Sequence, residues 1–276
     1  MGPRRRDCAQ GAVAGAVIGL ALAPVQPEAG PWTQDQGDAL QILTFVYDSA
    51  NAAFEARNGQ RAETDFTKYE IDLYSEFGVT DRFTLVLHAP YQHIRDEAGD
   101  EPVEISGAGD LELAVRAKLF ERDGFIASLQ PMVGFPGEAT GGGQAPLEAA
   151  GRFYEVRALF GRGGTLVGRP SFWAAEGGYR VRTGAAPDEW RADVTFGLSP
   201  NGRWQVLAQN FNTISSGAAR APFAPFRSHK VQVSGVRQVT DTVSIQLGGF
   251  HTFAGENVIA EVGGFTAVWI DWDRAQ

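Results

Sequence analysis

Residues 67–77 restrict the fold more than any other part of the sequence. Apolar side chains predominate at the odd-numbered positions of this stretch, and charged side chains predominate at the even-numbered positions. Because successive side chains of a β-strand point to opposite faces, the pattern predicts a strand with one apolar and one ionic face. The stretch is about as long as a strand that crosses a bilayer at a tilt.

The same alternation recurs along the chain and indicates about twelve strands, of which residues 189–198 are the most regular. Short connections near residues 80, 123, 162, 201 and 240 alternate with long ones that start at Asn51, Arg95, Gly137 and Thr213. Short turns at one end and longer loops at the other are typical of membrane barrels with both chain ends on the periplasmic side. Pro90 and Pro131 lie inside strand patterns and predict a bulge or break at each, because proline has no N–H donor.

The apolar face is expected to point outward into lipid. A twelve-stranded barrel is wider than the roughly eight-stranded barrel that side chains can fill, and small residues such as Ala117 and Gly177 on the apolar face would not fill it. Aromatic residues also flank the short turns, as an interfacial girdle requires: Phe77, Phe83, Phe120, Phe125, Phe160, Trp204 and Trp272. The predicted fold is all-β, a closed antiparallel up-and-down transmembrane β-barrel. A soluble sandwich that buries the apolar face between two sheets is the main alternative.

The N-terminus has the features of an export signal over residues 1–29, with three arginines before a small, apolar stretch, and cleavage is expected between residues 23 and 29. A disordered or helical tail is the alternative. Residues 30–38 are predicted to be a flexible lead-in that either hangs free or folds into a cavity, and residues 39–276 to form the barrel. No segment after residue 25 has the length and hydropathy of a membrane helix, which excludes a helical membrane protein.

Composition excludes several other classes of protein. The single cysteine, Cys8, lies in the predicted signal, so the mature chain would have neither a disulfide nor a thiolate metal site. The net charge of the full chain, −9, makes nucleic acid an unfavourable partner. The acidic connection that starts at Arg95 matches no calcium-loop spacing and is expected to be a solvated loop. We expect no cofactor and no metal.

With lipid outside, the ionic faces line the lumen, where opposite charges can pair across a hairpin, as Arg182 and Glu189 can. Sixteen lumen-lining candidates follow from the alternation: Lys68, Glu70, Asp72, Glu76, Asp110, Glu112, Arg116, Lys118, Glu155, Arg157, Glu176, Arg180, Arg182, Glu189, Arg191 and Asp193. Each is expected to be a paired lumen residue, without a catalytic role.

Three short segments resemble the outer-membrane barrel family named after the meta-pathway of phenol degradation. They are Gly107-Ala108-Gly109-Asp110-Leu111-Glu112-Leu113, Thr80-Asp81-Arg82-Phe83-Thr84-Leu85 and Pro187-Asp188-Glu189. The resemblance implies a barrel of the cell outer membrane that takes up apolar molecules, because the family is associated with the degradation of aromatic compounds. It implies no particular functional residues.

The sequence therefore predicts a passive outer-membrane channel or uptake protein for small solutes, including apolar or aromatic ones. The expected partners are outer-membrane lipid, lipopolysaccharide and the barrel-assembly machinery. An outer-membrane lipid-modifying enzyme is one alternative, but it needs a nucleophile and a base at the membrane edge, and the sequence has neither Gly-x-Ser-x-Gly nor His-Glu-x-x-His. Its four histidines are expected to be polar lumen or interfacial residues. A structural or adhesive barrel that acts through its outer loops is the other alternative.

Overall fold

A computed structural model describes residues 30–55, 61–97, 102–141, 150–221 and 223–272. The predicted signal segment, residues 1–29, lies outside the described residues and remains a prediction. The strands of the described part are β1 (Ala39–Phe54), β2 (Arg61–Thr80), β3 (Phe83–Asp96), β4 (Val103–Ala108), β5 (Leu111–Arg122), β6 (Phe125–Phe135), β7 (Ala139–Gly141), β8 (Phe153–Leu166), β9 (Arg169–Arg182), β10 (Asp188–Asn201), β11 (Trp204–Ser216), β12 (Arg227–Gln238), β13 (Val243–Glu256), β14 (Val258–Ile259) and β15 (Val262–Trp272).

The strands close into an antiparallel barrel. Sequence neighbours pair around the ring, and β1 pairs with both β2 and β15, so that Ala39 lies opposite Phe77 on one side and Trp272 on the other. The short strands β4, β7 and β14 prolong β5, β6 and β15 at the loop end, which leaves twelve strands in the closed circuit. The predicted twelve-stranded up-and-down barrel is confirmed.

Apolar side chains cover the outside of this barrel. Along β2, Tyr69 and Ile71 are exposed, whereas Glu70 and Asp72 between them are buried inside. The other strands repeat this arrangement because each keeps a two-residue period, so the outer wall is an apolar band suited to hydrocarbon. Among the described residues no helix is long and apolar enough to span a membrane, a finding that does not concern strands.

Aromatic side chains form a girdle at each edge of the apolar band. At the turn end, all seven aromatic residues singled out from the sequence are exposed on the outer wall. A second girdle at the loop end did not emerge from the sequence pattern, and its exposed members include Tyr47, Tyr69, Tyr91, Tyr154 and Trp190. The distance between the two girdles sets the depth of hydrocarbon that the barrel can span.

The ladder breaks next to both prolines that the sequence marked. The pairing of β3 with β5 ends at His88, and β3 pairs again, with β4, from Tyr91. The break between β5 and β4 therefore lies opposite Pro90. The β5–β6 pairing is interrupted beside Pro131 without a change of register. The predicted local breaks are confirmed, because a proline cannot supply the missing donor in either place.

Several predicted boundaries are wrong. The connection expected from Arg95 to Ser106 contains the first part of β4, which pairs with β3. The connection expected to begin at Asn51 is mostly strand, because β1 continues to Phe54 and pairs with β2 above the apolar band. Small residues such as Ala50 and Ala53 give no clear alternation there. The turn expected at residues 161–164 instead lies at Val167 and Gly168, which both have positive φ, as a tight two-residue hairpin turn requires. The glycines of residues 161–164 are paired within the β8–β9 ladder.

Candidate functional site in the barrel interior

Residues 30–38 fold into the turn end of the barrel, which is one of the two outcomes left open by the sequence. The backbone carbonyl of Pro31 accepts a hydrogen bond from the Ser128 hydroxyl, and the carbonyl of Trp32 accepts one from Arg116 at 2.8 Å. The Gln34 side chain donates to Glu76 at 2.8 Å. The segment therefore occupies part of the lumen and is held there by buried side chains of the wall.

Arg116 is the main anchor of this segment and is 1% exposed. Its guanidinium lies 2.7 Å from a Glu76 oxygen, donates to Gln130 at 2.9 Å and to the Tyr74 hydroxyl at 3.2 Å, and also reaches Trp32. Tyr74 donates in turn to Glu76. Alternation brings these side chains to one face, and the β2–β3–β5–β6 order brings their strands together.

A chain of ion pairs follows the wall formed by β5, β8, β9 and β10. Glu155 accepts from Arg157 Nε at 2.8 Å and from Arg180 Nε at 2.7 Å. Arg157 also donates to Glu176 at 3.0 Å, and Arg180 donates to Glu112 at 2.9 Å. Each buried charge therefore has a partner of opposite sign, which offsets the cost of its desolvation.

His88 extends this chain to β2. Its Nε2 contacts Asp72 Oδ1, and its Nδ1 lies 3.5 Å from Glu112 Oε2. The side chain is buried, so it joins the two carboxylates inside the lumen. The sequence placed it no more precisely than as a polar lumen or interfacial histidine.

A second group of charges lies on the opposite part of the wall. Lys68 Nζ is 3.3 Å from Asp48 and 3.4 Å from Glu70. Lys230 Nζ is 2.9 Å from Glu261, which follows β14. Asp48, Lys230 and Glu261 were missed as lumen candidates. The two-residue alternation within β1 and β12 could have identified the first two, had the registers of those strands been assigned.

An apolar cluster fills the turn half of the lumen beside the N-terminal segment. The cluster consists of Leu40, Ile42, Tyr74, Val86, Ala114, Leu207, Val236, Ala267 and Trp269, with Met132 and Phe172 packed against it. Trp269 Nε1 donates to Gln246 Oε1 at 3.2 Å, so the one polar atom of its ring is satisfied. Apolar side chains therefore occupy part of the turn half of the lumen that the N-terminal segment leaves free.

Two spaces in the lumen lie on either side of this cluster. A central cavity of about 30 Å³ is lined by charged and polar groups that include His88, Arg191 and Asp193, together with Val86 and Met132 of the cluster. A crevice of about 430 Å³ at the turn end is lined by Leu40, Val236 and Trp269 of the cluster and by polar turn residues. The cavity has room for little more than water, and members of the apolar cluster line both spaces.

The structure places fifteen of the sixteen predicted lumen candidates inside the barrel, with side chains no more than 13% exposed. They are Lys68, Glu70, Asp72, Glu76, Asp110, Glu112, Arg116, Glu155, Arg157, Glu176, Arg180, Arg182, Glu189, Arg191 and Asp193. Arg182 donates to Glu189 at 2.8 Å, across the hairpin that the sequence indicated. Lys118 is different: it lies near the turn end, is 22% exposed and pairs with Glu121. Their role in solute passage remains a prediction.

The other three histidines contact different groups. His229 Nδ1 lies 2.7 Å from Asn212 Oδ1, and His251 Nδ1 lies 3.1 Å from the Glu261 carbonyl. His93 lies on the outer wall, 2.7 Å from the Ser106 hydroxyl. Within the described ranges, no group of three or more His, Cys, Asp or Glu side chains is arranged to hold a metal ion.

These features define a class: a twelve-stranded transmembrane β-barrel of the outer-membrane type, with a filled, charged interior. An outer membrane channel from Pseudomonas putida F1 has the same fold at a TM-score of 0.67 and 14% identity, and the match covers 90% of this chain and 100% of that chain. The NanC porin matches at a TM-score of 0.54 and 10% identity, over 83% of this chain and 98% of its own. The translocator domain of the autotransporter NalP from Neisseria meningitidis matches at a TM-score of 0.53 and 9% identity, over 86% of this chain and 89% of its own.

At these sequence identities the similarity shows a shared fold only. The predicted outer-membrane location agrees with that fold. No family model matches the chain. No curated protein matches it either. The resemblance to the meta-pathway family therefore remains a prediction.

Proposed function

We propose that this protein is a passive outer-membrane channel for small solutes. The observation that carries the proposal is the lumen itself, in which a polar cavity and a turn-end crevice both border the same cluster of apolar side chains. Charged walls set the width and polarity of such a path, and an apolar constriction can gate it. The outer-membrane channel and the porin with the same fold support this reading.

The solutes are small because the central cavity measures only about 30 Å³. Passage of anything larger than water requires side chains of the apolar cluster, or residues 30–38, to move aside. The family resemblance adds apolar and aromatic molecules to the solute class, and the apolar layer would be a lesser barrier for them than for ions. Outer-membrane lipid and lipopolysaccharide would surround the two girdles, and the barrel-assembly machinery would receive the C-terminal strand.

Liposome swelling tests the channel. We expect vesicles that contain the full chain to swell slowly in small neutral solutes and not in large oligosaccharides. Deletion of residues 31–36 removes the Trp32 and Gln34 contacts and should raise the swelling rate several-fold. The exposed substitution Arg122→Gln is the matched control and should leave the rate unchanged. Absence of flux for every solute, with both the full chain and the deletion variant folded, would refute the channel.

Ion selectivity is a second expected outcome. Among the described residues, eleven inward-facing lumen carboxylates lie with seven inward-facing lysines and arginines, with His88 left uncounted. The carboxylates are Asp48, Glu70, Asp72, Glu76, Asp110, Glu112, Glu155, Glu176, Glu189, Asp193 and Glu261, and the bases are Lys68, Arg116, Arg157, Arg180, Arg182, Arg191 and Lys230. The acidic excess should favour cations in the lumen.

The reversal potential across a planar bilayer with a KCl gradient measures this preference. We expect potassium to permeate more readily than chloride. Asp123→Asn, at an exposed turn, removes an acid outside the lumen and should not shift the potential. A reversal potential that favours chloride would contradict the electrostatic argument.

A further inference from the structure

A serine, a histidine and a glutamate meet on the outer wall of the barrel, away from the lumen. Ser106 on β4 lies opposite His93 on β3, and its hydroxyl is 2.7 Å from His93 Nδ1. His93 Nε2 lies 3.7 Å from Glu104 Oε1. In the tautomer with hydrogen on Nε2, the serine donates to the base and the base donates toward the carboxylate.

The alternation of β3 and β4 places all three side chains outside. Ile94 and Ile105 are the inward neighbours, and each is 6% exposed. His93 and Glu104 have side chains 37% and 65% exposed. An activated serine lies within hydrogen-bond reach of a base, and a third group orients that base. The contacts between such groups are often long before the substrate binds.

The position of the three residues along the membrane normal indicates which substrate they could reach. Tyr69 of the loop-end girdle lies opposite His93 in the β2–β3 ladder, with its ring centroid 6.4 Å from that of His93, and Tyr91 lies two residues below His93 on β3. Above them the outer face is charged, beginning with Arg95 and Glu97, which pair at 2.6 Å. The site therefore lies at the boundary between hydrocarbon and headgroups, where the acyl esters of lipids are found.

An apolar groove leads to His93 along the lipid-facing wall. The groove has a volume of about 660 Å³ and its lining includes Phe45, Tyr47, Ile71, Leu247 and His93. Gly264 also lines this groove and has no side chain to fill the space between the larger residues. Its position in the membrane and its apolar lining fit one occupant, the acyl chain of a lipid.

We propose that Ser106, His93 and Glu104 form an acyl-ester hydrolase site that acts on membrane lipids. Ser106 Oγ attacks the ester carbonyl carbon while His93 accepts its proton, and His93 then gives that proton to the leaving alcohol as the carbon–oxygen bond breaks. Water, with His93 again as the base, hydrolyses the acyl-serine to a fatty acid and restores Ser106. This site is independent of solute passage through the lumen.

Active-site labelling tests the proposal without relying on a variant. The full chain, folded in phosphatidylethanolamine and phosphatidylglycerol vesicles, is treated with an alkyl fluorophosphonate, and the modified residue is located by mass spectrometry. Fatty-acid release from the same vesicles is measured in parallel. We expect labelling of Ser106 and slow release of fatty acid. A heat-modifiable, folded barrel that shows neither would overturn the site.

Variants assign the roles. Ser106→Ala should abolish both signals, and His93→Ala should slow labelling by about 100-fold or more, with partial recovery in added imidazole. Glu104→Gln should have a smaller effect than His93→Ala. Ser49→Ala and His229→Ala alter an outward serine and an outward histidine elsewhere on the wall and should change nothing. Equal labelling of folded wild type and Ser106→Ala would overturn the site, while swelling of the same vesicles reports on the channel separately.

Discussion

Replacing Arg116 by methionine should lower the free energy of unfolding by about 3–5 kcal/mol, because the substitution leaves Glu76 as an uncompensated buried charge. The guanidinium also bonds Gln130, Tyr74 and Trp32, so the variant should release residues 30–38 from the wall. Denaturant unfolding in lipid vesicles, followed by tryptophan fluorescence, measures the loss. Proteolysis within the freed segment provides a second readout.

Two matched variants test this explanation. Arg122→Gln removes an arginine whose side chain is 76% exposed, so it should change stability by no more than about 0.5 kcal/mol. The double variant Arg116→Met, Glu76→Met removes both partners of the buried pair and should recover most of the loss. A double variant as unstable as the single one would show that shape, and not the unpaired charge, accounts for the effect.

Glu155→Gln should have an effect of similar size, about 3–5 kcal/mol, because Glu155 neutralises charge on both Arg157 and Arg180. The amide retains nearly the same shape, so the loss would come from charge. The change would also leave the positive charge of Arg191 less compensated, since its nearest carboxylate oxygen, at 3.9 Å, belongs to Glu155.

The same unfolding experiment checks this result. Glu121→Gln, which weakens the partly exposed pair with Lys118, is the control and should stay within about 0.5 kcal/mol. If the two variants unfolded at the same denaturant concentration, the ion-pair chain around Glu155 would contribute little to stability.

The fold was largely predictable because a two-residue period is local. Residues 67–77 are enough to show which side chains face lipid, and Pro90 and Pro131 are enough to locate the ladder breaks. Strand ends were less predictable, since β1 and β2 continue beyond the apolar band, where small residues such as Ala50 and Ala53 give no clear alternation. The turn at Val167 was missed because a β-branched residue rarely takes positive φ.

The contacts of the interior could not be predicted in the same way. Alternation identifies Arg180 as an inward residue, but its hydrogen bond to Glu112 joins positions 68 residues apart. The bond from Arg116 to the Trp32 carbonyl spans 84 residues. Such pairs depend on how the closed ring brings distant strands face to face, which no local pattern contains. The Ser106–His93 contact was missed for a related reason, because β4 was expected to be part of a loop.

The seam between β1 and β15 bears on how the molecule assembles. The first strand of the ring is completed by the last, so the wall cannot seal until the end of the chain has arrived. Residues 30–38 directly precede that first strand and lie within the ring, bonded to Ser128 and Arg116. They must therefore be enclosed as the seam forms or enter afterwards through an end of the finished barrel. In the first case a single step both closes the wall against lipid and fills part of the barrel interior.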